Sequence, residues 1–208
     1  MKGLLPCLLV ATVGLTACRP RVPNASGRPP VYEDPSSTGR VAGVGVESND
    51  IVSMTDQMMR DMLAQPLLAN HERPPRVIVD AEYFHNESAN RLNVNSITDR
   101  LRVELNRAAA GRMIFVARHY SDMVESERAR KRSGAVDTGS KQPTKAAAGG
   151  DYRLGGRVSS VDAIQPSSGA ASRYNLIVFE MVDLETGVIV WGDKYEFKKS
   201  AADDVIYR

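Results

Sequence analysis

RYNLIVFEMVDLETGVIVWGDKYEFK, residues 173–198, consists of two apolar-rich arms joined by Glu185-Thr186-Gly187. β-Branched and aromatic residues crowd both arms, and Gly187 offers the positive φ that a bulged hairpin turn requires. The arms read as strands from Arg173 to Leu184 and from Val188 to Lys198. Just upstream, DYRLGGRVSSVDAI (151–164) supplies a third strand from Tyr152 to Ile164, and the polar QPSSGAAS links it to the hairpin. An antiparallel meander follows from that order. Gly155-Gly156 falls inside the third strand, where it signals a bulge or close packing against a helix rather than a phosphate cradle.

The first half of the chain carries a different periodicity. Ile51, Met54, Met58 and Met62 recur at helical spacing, widened by Val52, Met59 and Leu63, and the run stops before Pro66. Ser48 or Asn49 is placed to cap this helix, with Asp50 at its positive end. A methionine stripe can form an adaptable binding groove, but at this spacing it reads as core. Val77 to Val79 is a short buried strand after Pro74-Pro75, followed by a polar stretch from His85 to Asn95. A second helix opens at Asn95 or Ser96, with Asp99 in its first turn and Ile97, Leu101, Leu105 and Ala108 on one face, and Gly111 ends it. Met113 to Ala117 is the next strand, which completes a strand–helix–strand crossover with parallel pairing. A third helix spans Tyr120 to about Arg132, with Met123, Val124 and Tyr120 turned inward, and residues 133–150 read as a mobile loop. The predicted fold is therefore α+β: a single mixed β-sheet with an early βαβ unit and a C-terminal antiparallel meander, with helices packed on the sheet.

The N-terminus gives an address. Lys2 precedes an apolar segment from Leu4 to Leu15 that is too short to span a bilayer, and Leu15-Thr16-Ala17-Cys18 has the form of a bacterial lipobox. Residues 1–17 are expected to be removed and Cys18 acylated, with two lipid attachments giving stable anchoring. An ordinary secretory signal with a chance cysteine and an uncleaved anchor are the alternatives. Cys7 follows Pro6 inside the apolar run and does not suit the same role, while Arg19 after Cys18 favours outer-membrane delivery. Residues 18–47 are rich in Pro, Gly, Ser and Arg and read as a disordered tether, with the globular domain over 48–208. Roughly 30 residues at about 3.3–3.6 Å each could reach on the order of 100 Å if straightened.

Chemistry is sparse. The chain has 27 basic and 25 acidic residues and a net charge of +2, which gives no general field for nucleic acid. His71, His85 and His119 have no metal-ligand spacing, no nucleophile elbow or phosphate loop is present, and no cofactor is expected. The strongest charge concentration is Arg128, Arg130, Lys131 and Arg132, with Lys141 and Lys145 beyond. It reads either as a solvated helix end complementing the dipole or as a patch that steers the domain to an acidic protein surface or an anionic wall polymer.

The runs NESANRLNVNSITDRLRVEL (86–105), MIFVARHYSDMVESERARK (113–131), DYRLGGRVSSVD (151–162) and YNLIVFEMVDLETGVIVWGDKYEFKK (174–199) resemble, in that order, the LpoB family. Members are outer-membrane lipoproteins that activate bifunctional penicillin-binding proteins. The resemblance covers nearly all of Ile51 to Lys199; its most specific pieces are Asp151-Tyr152 with Gly155-Gly156 and the Asp183–Gly187 hairpin running into Trp191. It implies a monomeric, non-enzymatic regulator that binds the docking domain of a class A penicillin-binding protein and raises peptidoglycan synthesis. A structural or secretion-accessory outer-membrane lipoprotein of the curli-assembly type shares a similar ending and is the second reading. Such a pore needs long alternating strands, which the pattern does not display.

Overall fold

The computed structural model describes residues 26–27, 29–40, 42–66, 73–140 and 146–201. Helix α1 (Ser48–Ala64) is followed by β1 (Arg76–Asn86), α2 (Val94–Ala109), β2 (Ile114–Val116), a 3-10 turn (Arg118–Tyr120), α3 (Ser121–Ser133), β3 (Tyr152–Ile164), β4 (Ala171–Asp183) and β5 (Ile189–Ala201). The strands form one five-stranded sheet in the order β2-β1-β3-β4-β5. β1 pairs in parallel with both β2 and β3, while β3, β4 and β5 form the antiparallel meander. The α+β reading and the mixed sheet stand as expected.

The core lies between one sheet face and helices α1 and α2. Met54, Met58 and Met62 of α1 and Ile97, Leu101, Leu105 and Ala109 of α2 are buried against Val77, Val79, Phe84, Leu154, Ile177, Phe179 and Met181. The methionine stripe is thus packing material, as its spacing indicates. Ala109 rather than Ala108 completes the α2 stripe, one turn beyond Leu105, and the helix begins earlier than expected. Asn93 is its cap, its side chain accepting from the Asn95 N–H at 3.1 Å, which moves Asp99 out of the first turn. Helix α1 does begin at Ser48, but its cap is Glu47: the Glu47 and Asp50 side chains exchange hydrogen bonds with each other's backbone N–H groups.

Three further expectations are corrected. β1 does not stop at Val79 but runs to Asn86; it bulges between Val79 and Phe84, four residues facing the single Gly155 on β3. The bulge returns Phe84 to the core face after a polar stretch, which simple alternation could not show. Met123, Val124 and Tyr120 do not face inward: they are 62%, 43% and 51% exposed, and no residue of α3 is buried. With two large apolar residues among 13, α3 has too little apolar surface to hold itself against the sheet. Finally, β3, β4 and β5 are each 13 residues long, and β4 alternates between buried and half-buried positions from Ala171 to Val182. Long alternating strands are therefore present, but they belong to a sheet with helices packed on one face.

Gly155-Gly156 resolves in favour of close packing, with a strand neighbour rather than a helix. Phe84 and Phe179 stack with centroids 4.9 Å apart across Gly156. A Cβ at Gly156 would meet the Phe84 ring and lie 2.5 Å from the Val178 carbonyl oxygen. Gly156→Ala is expected to destabilise the domain by about 1–3 kcal/mol through overpacking, read as a lower urea midpoint with unchanged slope; an unchanged midpoint would count against this account.

Candidate docking surface

Three polar assemblies stand out where the sheet and helices leave the core. The first fastens the chain as it enters the domain. Val44 is buried and its carbonyl accepts from Asn175 Nδ2 at 3.1 Å. Lys199 Nζ donates to the Gly45 carbonyl at 3.1 Å and to Asp50 at 2.6 Å, and pairs with Glu47 at 3.2 Å. The Gly43 N–H also donates to Glu47. Packing thus begins upstream of the Ser48 boundary, within the segment read as tether.

Beside this entry, Arg173 is 3% exposed and grips Asp162 through Nε at 2.5 Å and Nη2 at 2.7 Å, while Nη1 donates to Asn90. The hydrogen bond from Arg173 holds the Asp162 carboxyl below its ordinary range, and burial opposes it only in part. Because the folded value is depressed, the stabilisation is present above the ordinary carboxylate value and is lost as pH falls through the folded one. The melting temperature should therefore fall more steeply on acidification below about pH 4 in the wild type than in Asp162→Asn. The variant, less stable at neutral pH, should converge on the wild type in acid; parallel curves would rule the pair out as the cause.

The second assembly surrounds Arg153. Its Nη2 bonds both oxygens of Asp80 at 2.9 and 3.0 Å and also reaches Glu82, and its guanidinium lies 4.3 Å from the Tyr83 ring centroid. Burial works against the arginine's charge, but the hydrogen bonds to Asp80 and Glu82 outweigh it and raise its pKa. Nothing local in the sequence links Asp80 to Arg153, which lie far apart in the chain; only the β1–β3 pairing brings them together.

The third is a cleft of about 540 Å³ between the β1 bulge, the first turns of α2 and the 3-10 turn. Asp80, Glu82, Asp99, Arg102, Arg118 and His119 line it. Arg102 donates to Asp99 at 2.8 Å and to the Val79 carbonyl at 3.3 Å. Sequence reasoning missed this cleft, whose lining residues come from three separate stretches.

Of the predicted site residues, Arg128, Arg130, Lys131 and Arg132 share the last turns of α3, immediately after the cleft-lining turn. Lys131 lies 4.0 Å from Glu127. Gly134, at φ 79°, closes the helix, and its N–H donates to the Arg130 carbonyl. Cys18, Lys141, Lys145 and His71 lie outside the described residues. Among the described residues no cluster of His, Cys, Asp and Glu could hold a metal, and no helix is long and apolar enough to cross a membrane.

A family model for the peptidoglycan-synthase activator LpoB matches residues 50–197. The chain belongs to the LpoB family. That match runs from Asp50 of the α1 cap through β5 and includes the cleft, the Arg153 assembly and α3. Among solved structures, the LpoB C-terminal domain from Salmonella enterica is 19% identical, with 69% of this chain and 94% of that chain covered at a TM-score of 0.40. The LpoB C-terminal domain from Escherichia coli is 17% identical with the same coverages and score. The lipoprotein GNA1162 from Neisseria meningitidis is 13% identical, covering 62% and 85% at a TM-score of 0.31. No curated protein matches the chain. Membership places this protein with activators of peptidoglycan synthesis rather than with the enzymes they regulate.

Proposed function

We propose that this LpoB-family chain is an outer-membrane lipoprotein, acylated at Cys18, whose monomeric domain binds the docking domain of a bifunctional (class A) penicillin-binding protein and raises its glycan-polymerising and cross-linking output. The observation that carries the reading is the family match over 50–197 in a chain that also bears Leu15-Thr16-Ala17-Cys18. Activation needs no catalytic residue. An activator that prefers the active synthase conformation by about 1.4 kcal/mol multiplies the ratio of active to inactive synthase tenfold. The intact mass of the mature protein should show Cys18 as an acylated N-terminus, and purified protein added to the synthase should increase product formation. Absence of both binding and stimulation would reject the regulatory role.

The basic turns of α3 are the proposed steering element. Arg128, Arg130, Lys131 and Arg132 extend from a helix with no buried residue, so their field reaches a partner without desolvating the domain. Glutamate at Arg130, Lys131 and Arg132 is expected to slow association with the synthase roughly tenfold at low salt, with the difference shrinking at high salt. Equal association rates at both salt concentrations would remove the patch from the interaction.

A further inference from the structure

β2 ends at Val116 after three residues, yet the strand it flanks continues to Asn86. On its outer side β1 has a strand partner only at Arg76, Val77 and Ile78; beyond Ile78 it has none among the described residues. An unpaired edge is the surface on which an extended polypeptide can add itself through main-chain hydrogen bonds. This edge forms one wall of the 540 Å³ cleft, facing the first turns of α2 and the 3-10 turn. The Arg102 guanidinium donates to the Val79 carbonyl and so supplies the first bond that a longer β2 would have made. Past that point no strand pairs with this edge among the described residues, and the Glu82 N–H is held only by the Asp80 side chain at 3.1 Å.

The charges indicate the occupant. Asp80 and Glu82 are held by Arg153, and Asp99 by Arg102. Arg118, by contrast, has no ion pair among the described residues and stands where β2 gives out, ahead of the basic turns of α3. We propose that the cleft binds an extended segment of a partner protein, laid along the outer edge of β1 in line with β2, with an acidic residue set against Arg118. Only the partner's identity as the synthase rests on the preceding functional reading; the mode of binding does not.

Asn95 is exposed on the cleft wall, so Asn95→Trp fills the cleft without touching the core. Hydrogen exchange of the full-length protein should show amides between Asp80 and Asn86 becoming protected when saturating class A synthase is added. The synthase should bind Asn95→Trp at least about tenfold more weakly, and Arg118→Glu by a similar factor. Synthase binding with no protection at these amides, or undiminished binding to Asn95→Trp, would overturn the edge mode while leaving the activator reading intact. A second arm needs no synthase: random dodecapeptides displayed on phage are selected on the full-length protein. Enrichment of peptides that carry Asp or Glu on the wild type but not on Asn95→Trp is expected, even if the synthase itself never binds. Equal enrichment on both proteins, or protection that grows with the protein's own concentration and so marks a second copy as the occupant, would refute the proposal.

Discussion

β1 is hydrogen-bonded in parallel on both sides, and much of the remaining architecture follows from that constraint. Parallel neighbours cannot be joined by tight turns. One connection is therefore α2, which lies on the sheet, and the other is the long path from β2 through α3 to β3. Asp151 finishes that path: its N–H and side chain bond the Arg76 backbone at 2.8 Å each, and Gly150 passes against Ile78. β1 meets both neighbours over its first residues, and the bulge beyond Val79 resets its register against β3 alone. It returns Phe84 to the core beside Gly156 and turns Asp80 and Glu82 outward to Arg153.

Burial carries the stability of this arrangement. The only cysteines in the sequence are Cys7 and Cys18, both outside the described residues, so no disulfide can brace the sheet and helices. The core is instead closed at its margins by polar locks. Trp191 Nε1 donates to Asp61 at 2.7 Å and ties β5 to α1, and Gln57 Nε2 reaches the Lys194 carbonyl at 3.2 Å nearby. The hairpin is locked similarly: Asp183 Oδ1 accepts from the Glu185 and Thr186 N–H groups, which lowers its pKa.

The meander was legible because its signals are local: dense β-branched and aromatic residues, a glycine with positive φ at Gly187, and polar breaks between strands. The helical stripes of α1 and α2 were legible for the same reason. β1 was only half legible, since the four bulged residues break alternation and Phe84 stands alone among polar neighbours. α3 misled because Met123 and Val124 invite an inward reading that needs a surface to pack on, and sequence spacing says nothing of whether one is there. The cleft was illegible: its carboxylates and arginines are scattered, and what defines it is the early end of β2. The basic run at Arg128–Arg132 was visible as charge, but not that the helix carrying it follows directly on the turn that lines the cleft.

The entry segment has a mechanical consequence. A pull on the chain ahead of Gly43 reaches the domain through the Val44 and Gly45 carbonyls, which are held by Asn175 on β4 and Lys199 on β5. Load is thereby handed sideways to two strands that pair without a break from Ala171–Ala201 to Met181–Trp191, and the α1 cap at Glu47 is shielded from peeling. For a domain drawn from its N-terminal side, this fastening decides whether force unzips the first helix turn by turn or must shear the sheet as one body.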